Sequence, residues 1–176
     1  ATRHIDSVEI DIFDVAFDII GGGEEGDKTR VSTNEEADHS LQYMVAVALL
    51  DDQVLPAQYD PARIVRNDVQ ALLRRVHVRP AAEFSARFPA EHGCRVTVRL
   101  QGGDEFVVVK RDYEGFTTRQ MSWDGVVAKF ERLAAPHVGG DLRGALVEVV
   151  RDLENRQVTD LTGLLARAGA AVPAGR

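Results

Sequence analysis

Features that mark several classes of protein are scarce in this chain of 176 residues. Its only cysteine is Cys94, so no disulfide can form within the chain, and a reducing compartment is expected. One thiolate cannot hold an iron–sulfur cluster, and the 5 histidines are scattered without the spacing of a metal site. We therefore expect neither a metal ion nor another cofactor.

Long apolar runs and an excess of positive charge are also lacking. The longest apolar candidate, residues 41–50, is much shorter than the roughly 18–20 residues that cross a bilayer. The chain opens without Met and without a basic-then-apolar leader. The net charge is −7, of which residues 1–38 carry −8 and the remainder +1; phosphate binding needs a basic face instead. We expect a soluble, cytoplasmic protein, processed or cut from a longer chain, that binds neither membranes nor nucleic acids.

Alternating apolar and polar residues predict four strands. Residues 5–13 form the first such pattern and residues 76–79 a shorter one that ends at Pro80. The clearest pattern lies between Cys94 and Lys110, where two alternating runs flank the turn residues Gln101-Gly102-Gly103-Asp104. This arrangement predicts a β-hairpin over about residues 94–110.

Capping residues predict the helices. Thr33 and Glu36 form a capping-box pattern, from which one helix is expected to run to about Leu50. Asp60-Pro61 indicates the start of a short helix, and another is expected over residues 68–75. Three more are predicted in the last third of the chain: one capped by Ser122, one after Gly139-Gly140 and one over residues 160–168.

This order of elements predicts an α+β fold. We expect a small, mostly antiparallel sheet that contains the hairpin and is packed by helices. The last two helices follow a Gly-Gly hinge, and the apolar stripe over residues 142–153 has no obvious place on so small a sheet. We expect these helices to pack against another domain or another chain.

Four side chains are candidates for a functional site. His39 and Tyr43 are four residues apart, so one helix would place them on one face, where a phenol and an imidazole could move protons. A satisfied tyrosine and a capping histidine explain the same spacing. Lys28 and Arg30 lie in a glycine-rich loop and could clamp an anion, or they are two solvated charges.

The run Ala37-Asp38-His39-Ser40-Leu41-Gln42-Tyr43-Met44 resembles the MmgE/PrpD family. This family includes 2-methylcitrate dehydratases and is related to cis-aconitate decarboxylase and iminodisuccinate epimerase. The likeness continues through the predicted hairpin and through Gln120-Met121-Ser122-Trp123, where Gln120 replaces a usual proline. It covers nearly the whole chain.

The resemblance implies the C-terminal portion of a longer lyase. Residues 1–138 would form the family's α+β lid, and residues 139–176 would return to an all-helical domain of the same or another chain. The implied chemistry is metal-free proton abstraction next to a carboxylate of a small di- or tricarboxylic acid. By position, Tyr43 matches the family's active-site tyrosine, His39 is its neighbour in the motif, and Lys28 is implied as a clamp for a carboxylate. We expect Tyr43 and His39 in catalysis, and Lys28 together with the loop residue Arg30 in binding the substrate. The family's other catalytic groups would precede Ala1, so the isolated chain is expected to be inactive, and the complete protein to be a homodimer.

Two alternatives remain open at this point. The chain could be a non-catalytic dimerisation or interaction module that keeps the lid fold, because a helix apolar on both sides and an uncovered stripe suit that role equally well. A separate chain could also supply the helical half.

Overall fold

The computed structural model describes residues 4–171, and the side chains through residue 168. These residues fall into two compact units that divide between Arg119 and Gln120. The first unit contains all the named strands, and the second consists of helices. The sequence-based division between residues 138 and 139 concerned the lid and the returning helices of the family, and it stays a prediction.

A four-stranded sheet organises the first unit. Its strands are β1 (Ile5–Ile12), β2 (Val76–Pro80), β3 (Cys94–Leu100) and β4 (Glu105–Lys110), in the order β2-β1-β3-β4. β1 runs parallel to β2, with Val8 opposite Val76, and antiparallel to β3, with Val8 opposite Val98. β3 and β4 form the predicted hairpin, in which Val98 lies opposite Phe106. The α+β prediction with a mostly antiparallel sheet is confirmed.

Six short or medium helices accompany the sheet. They are α1 (Asp14–Ala16), α2 (Asn34–Asp38), α3 (Leu41–Asp51), α4 (Pro61–Ile64), α5 (Asn67–Leu73) and α6 (Ala82–Ser85). A π-helical turn, Phe17–Gly21, follows α1, and a 3₁₀ turn, Pro56–Tyr59, precedes α4. The start predicted at Asp60-Pro61 is confirmed, because Asp60 Oδ1 accepts a hydrogen bond of 2.8 Å from the amide of Ala62.

The single helix expected from Thr33 to Leu50 is wrong. The capping box exists, with Thr33 Oγ1 3.2 Å from the amide of Glu36, but α2 ends at Asp38 and α3 begins at Leu41. Ser40 causes the break: its backbone is extended and its hydroxyl accepts from the amide of Tyr43, which starts a new helix. His39 and Tyr43 therefore do not share a helix face.

The core lies on one face of the sheet, beneath α3 and α5. Val8 and Ile10 of β1 point into it and are at most 1% exposed. Tyr43 and Val47 of α3 and Leu73 of α5 are fully buried members of the same cluster. Each buried aliphatic side chain contributes about 1.5–3 kcal/mol relative to an exposed one, so β1 is anchored by packing along its whole apolar side.

The opposite face of the sheet carries an ion-pair network that crosses all four strands. Asp11 bonds to Arg79 of β2 and lies 3.2 Å from Arg95 of β3. Glu9 pairs with Arg99 of β3, whose Nε is also 2.7 Å from the carboxylate of Glu105 in β4. Two of the acidic residues that make the N-terminal segment so negative are thus compensated by arginines from other strands.

The second unit consists of α7 (Trp123–Ala134), α8 (Gly140–Arg151) and α9 (Val158–Ala171), with a 3₁₀ turn at Leu153–Asn155. Ser122 caps α7 as predicted, accepting a bond of 3.1 Å from the amide of Gly125. The stripe predicted on α8 is only partly covered within this unit: Leu146 is buried, but Val150 is 42% exposed. What packs on the remainder stays a prediction.

Membrane insertion finds no support among the described helices. None of those between residues 4 and 171 combines the length and the apolar character that a bilayer span requires. The cytoplasmic location stays a prediction.

The ion pairs of Asp11 predict a pH-dependent contribution to stability. The hydrogen bond from Arg79, helped by Arg95, holds the pKa of Asp11 below its ordinary value, although burial opposes this. A carboxylate with a depressed folded pKa stabilises the fold above its unfolded pKa and stops doing so as the pH falls through the folded pKa. Asp11→Asn should therefore lower the free energy of unfolding at pH 7 by on the order of 1 kcal/mol. The expected loss is no larger because the Arg79 side chain is largely solvated, and solvent weakens the ion pair.

Chemical denaturation between about pH 7 and pH 2 would measure this effect. The difference between wild type and Asp11→Asn should shrink below about pH 4. Asp6→Asn, at an exposed position of the same strand, is the matched control and should show a smaller difference. A gap between wild type and Asp11→Asn that persists unchanged at pH 2 would contradict the assignment.

Candidate functional site

The first turn of α3 fastens the glycine-rich loop to the core. Ser40 is fully buried, and its hydroxyl donates a bond of 2.7 Å to the carbonyl oxygen of Lys28 while accepting one of 3.0 Å from the amide of Tyr43. One side chain thus caps the helix and fixes the loop at Lys28. The short side chain of serine suits both contacts because its oxygen stays close to the backbone.

Gln42 holds the other end of the same loop. Its side chain is 4% exposed, and Nε2 donates a bond of 2.7 Å to the carbonyl oxygen of Gly21. Its Oε1 is buried and has no hydrogen-bond partner among the described residues. Residues 21–28 therefore span two anchors that are both supplied by α3.

Lys28 and Arg30 differ sharply in environment. The Lys28 side chain is only 12% exposed, and its ammonium lies 3.5 Å from the carboxylate of Glu25. The Arg30 side chain is 90% exposed, with Nε 3.6 Å from Asp27. Lys28 is held in place on the anchored loop, whereas Arg30 is an ordinary solvated cation beside an open cleft.

That cleft has a volume of about 660 Å³ and lies along the continuation of the loop. Arg30 and Arg74 contribute positive charge to its lining, and Ser32 and Gln70 contribute polar groups. Gln70 is itself fixed, because its Nε2 donates to the carbonyl oxygens of Val31 and Ile64 at 2.8 and 2.9 Å. The cleft could hold an anion, although Asp27 and Glu36 also line it and would oppose one.

Tyr43 is fully buried beneath the turn Pro56–Tyr59. Its hydroxyl donates a hydrogen bond to the carbonyl oxygen of Gln58, and its ring lies 5.9 Å from that of Tyr59. Burial raises the pKa of Tyr43 to about 12. The phenol therefore stays protonated at neutral pH and can donate a hydrogen bond, but it is a poor base in this position.

A partly buried polar network adjoins Tyr43 through Gln58. Gln58 Nε2 lies 3.1 Å from Asp51, and Arg63 bonds to both oxygens of the same carboxylate at 2.9 and 2.7 Å. Hydrogen bonding to Arg63 holds the pKa of Asp51 below its ordinary value. The carbonyl that accepts from Tyr43 is thus part of a well-fixed turn.

His39 lies apart from this network. It occupies the C-terminal end of α2, is exposed, and places Nδ1 3.0 Å from the carbonyl oxygen of Glu35. Of the four predicted site residues, Lys28 and Tyr43 are both linked to Ser40, whereas His39 and Arg30 face solvent. The catalytic and binding roles of all four stay predictions.

Sequence reasoning missed the residues that organise this region. Ser40 and Gln42 stand in the sequence only as members of the motif that carries the family resemblance, with no separate prediction for either. One signal was available in the sequence: Ser40 is of a type that caps helices, and the glycine-rich loop ends twelve residues before it. Nothing local in the sequence signals that Gln58 accepts from Tyr43.

Metal-ligating side chains do not gather anywhere in the described part of the chain. No group of three or more His, Cys, Asp or Glu residues there is arranged to hold a metal ion. The one cysteine, Cys94, is half-buried in β3, where burial raises the pKa of its thiol. A raised thiol pKa disfavours the reactive thiolate.

The chain is similar to a known protein domain and to known enzymes. The model of the MmgE/PrpD C-terminal domain matches residues 1–155. Cis-aconitate decarboxylase of Homo sapiens is 25% identical over 123 residues, which make up 70% of this chain and 25% of that protein. The same enzyme of Mus musculus is 24% identical over 123 residues, with the same shares. The matched segment is about a quarter of the length of these curated relatives.

The two contacts of Ser40 predict a loop that loosens when its hydroxyl is removed. Ser40→Ala should lower the free energy of unfolding by about 1–2 kcal/mol through loss of the cap. It should also accelerate amide hydrogen exchange across residues 21–28, because Lys28 loses its tether. Exchange followed by mass spectrometry measures the second effect directly.

Ser122→Ala is the matched control, since it removes a helix cap of the same kind from α7. It should destabilise its own helix and leave exchange in residues 21–28 unchanged. Equal exchange of that loop in wild type and Ser40→Ala would refute the tether.

Proposed function

The chain belongs to the MmgE/PrpD family, and from that premise we propose that it is the C-terminal part of a lyase acting on small di- or tricarboxylic acids. The observation that carries the proposal is the match of the family's C-terminal domain to residues 1–155. The decarboxylase activity named for the relatives, acting on cis-aconitate, indicates the class of substrate. Dehydration of a 2-methylcitrate-like acid is an equally suitable reaction of this class.

In a dehydration, the chemistry begins with removal of a proton from the carbon next to a carboxylate. A base takes that proton, cations or hydrogen-bond donors stabilise the enolate-like charge, and an acid assists the leaving group in a dehydration. The described residues of this chain offer donors and cations for such a site. Tyr43 has too high a pKa to serve as the base, so we assign the base to a part of the complete protein outside this chain.

Tyr43 is proposed to act as a neutral hydrogen-bond donor to a substrate carboxylate. A buried phenol with a pKa of about 12 keeps its proton throughout the neutral range, which suits a donor that must not ionise beside an anion. Its present acceptor is the carbonyl oxygen of Gln58. Contact with substrate therefore requires the turn Pro56–Tyr59 to release the hydroxyl.

Lys28 is proposed to bind a second carboxylate of the substrate. Its side chain is only 12% exposed and belongs to a loop that Ser40 and Gln42 anchor at both ends. A preorganised cation loses less freedom on binding than a solvated one. Arg30, which is 90% exposed, fits a role in attracting the anion into the neighbouring cleft. His39, which is exposed at the C-terminal end of α2, is proposed as a catalytic residue that moves a proton.

The non-catalytic alternative has one observation in its favour. Tyr43, the residue to which the resemblance gives the clearest role, is buried and fully hydrogen-bonded in the manner of a structural tyrosine. If that arrangement is permanent, residues 1–155 would serve assembly and not turnover. Substitution of Tyr43 in the complete protein separates the two proposals.

Tyr43→Phe in the full-length protein should reduce kcat at least tenfold, corresponding to about 1.4 kcal/mol of transition-state stabilisation. Steady-state kinetics with cis-aconitate, 2-methylcitrate and citrate measure this. Thermal unfolding of the same variant reports the separate cost of leaving the Gln58 carbonyl unpaired, about 1–3 kcal/mol. Tyr59→Phe, which alters the neighbouring ring, is the matched control and should keep near-wild-type kinetics. Unchanged kcat in a folded Tyr43→Phe enzyme would remove Tyr43 from the site.

The 176-residue chain by itself is expected to be inactive. The reason is that Tyr43, the residue with the clearest proposed role, keeps its proton at neutral pH and so supplies a donor and not a base. A turnover assay of the purified chain with the same three acids tests this, with the full-length protein as the positive control. Measurable turnover by the isolated chain would show that a base has been overlooked within it.

A further inference from the structure

One buried residue holds the segment between α3 and α4 in place. Among residues 52–60, Gln58 alone is buried, at 5% exposure, whereas Pro56 and Ala57 of the same turn are exposed. Burial of a side-chain amide is unfavourable unless its polar atoms are hydrogen-bonded. The hydrogen-bond partners of Gln58 therefore decide how firmly this segment is fastened.

Both polar atoms of the Gln58 side chain have partners. Oε1 accepts a bond of 3.0 Å from the amide of Leu55, and Nε2 donates one of 3.1 Å to the carboxylate of Asp51. These partners fix the orientation of the side-chain amide, since an N–H needs the oxygen and a carboxylate needs the N–H₂ group. Asp51 is itself held by two bonds from Arg63. The side chain of Gln58 thus ties the turn Pro56–Tyr59 to the last turn of α3.

The main chain of Gln58 makes a third bond, and this one reaches the candidate site. Its carbonyl oxygen accepts from the hydroxyl of Tyr43. Because one residue carries all three bonds, its carbonyl cannot move away from the phenol without disturbing the two bonds of its side chain. The bonds to Leu55 and Asp51 therefore contribute to the free-energy cost of releasing the Tyr43 hydroxyl.

We propose that Gln58 is a positioning residue for the reaction, whose side chain sets how readily the Tyr43 hydroxyl exchanges the Gln58 carbonyl for a carboxylate of the substrate. This role rests on the proposed function, in which Tyr43 donates to that carboxylate. The phenol keeps its proton and changes only its acceptor. The carbonyl that it leaves lies in a turn whose exposed Pro56 and Ala57 border on solvent, so water can take the place of the phenol.

The exchange favours anionic ligands. A carboxylate accepts a stronger hydrogen bond than a neutral carbonyl does. An acid can therefore compensate for opening the turn, whereas a neutral molecule of the same shape offers no better acceptor than Gln58 already provides. The measured affinity for the acid is that of the open form, reduced by the fraction of protein in that form.

Gln58→Met in the full-length protein tests this role, because methionine is neutral and of similar length but makes neither side-chain bond. The open form should become more populated, so KM for the acid that is turned over should fall about threefold to tenfold, with kcat within about twofold of wild type. In a Tyr43→Phe background the same substitution should leave KM unchanged, since no hydroxyl is left to release.

Asn155→Leu is the matched control in the second unit. Asn155 Nδ2 donates a bond of 2.7 Å to Asp152, a carboxylate that is also paired with an arginine, Arg156. The substitution therefore removes the same kind of bond as Gln58→Met does. It should leave KM and kcat at their wild-type values.

Hydrogen exchange in the wild-type full-length protein tests the same role without a substitution, and it decides the question if Gln58→Met does not fold. The amides of Leu55 and Gln58 both bond within the turn, at 3.0 and 2.9 Å. Saturation with the acid that is turned over (cis-aconitate, 2-methylcitrate or citrate) should accelerate their exchange, because the turn opens. Exchange that is unchanged or slowed at both amides would overturn the proposal.

The kinetic outcomes separate this role from the function on which it rests. If Tyr43→Phe keeps the wild-type kcat, or if the full-length protein turns over none of the three acids, the proposed function is contradicted and the role of Gln58 with it. If Tyr43→Phe is impaired but Gln58→Met has an unchanged or raised KM, only the role of Gln58 is overturned. An equal fall in KM in the Tyr43→Phe background would also overturn it, because the effect would not pass through the phenol.

Discussion

The structure of the first unit depends on β1, whose two faces lie in different environments. One face must bury Val8 and Ile10 beneath α3 and α5, and the other must compensate the carboxylates of Glu9 and Asp11. Period-two alternation allows one strand to meet both demands at once. A register slip of one residue would bury the carboxylates and expose the aliphatic side chains. The neighbouring strands are fixed accordingly, with arginines on the side of the acids.

The same constraint positions the candidate site. α3 packs over β2 and the π-helical turn, and its first turn lies beside the loop that follows that turn. Ser40 and Gln42 fix residues 21–28 at both ends, and the side chain of Lys28 on that loop is only partly exposed. The arrangement of Lys28 and Tyr43 around one serine is thus a consequence of helix packing, and the family's proposed chemistry would draw on it.

Two apolar surfaces of the described residues stay exposed: the edge strand β4 and part of the stripe on α8. A protein that stood alone would seldom leave four apolar residues in a row exposed on an edge strand, or the stripe of α8 half-covered. That the stripe on α8 packs on a helical domain stays a prediction.

The sequence alone determined the local elements, because each rests on residues close together in the chain. Alternation predicted β1 and the hairpin, and side-chain caps predicted the helix starts at Thr33, Asp60 and Ser122. The motif from Ala37 to Tyr43 indicated the family. Tertiary structure decided the rest: the parallel pairing of β1 with β2, the break at Ser40, and the burial of Tyr43 against the carbonyl of Gln58. These features join residues far apart in sequence, and they depend on which surfaces remain to be covered once the local elements have formed.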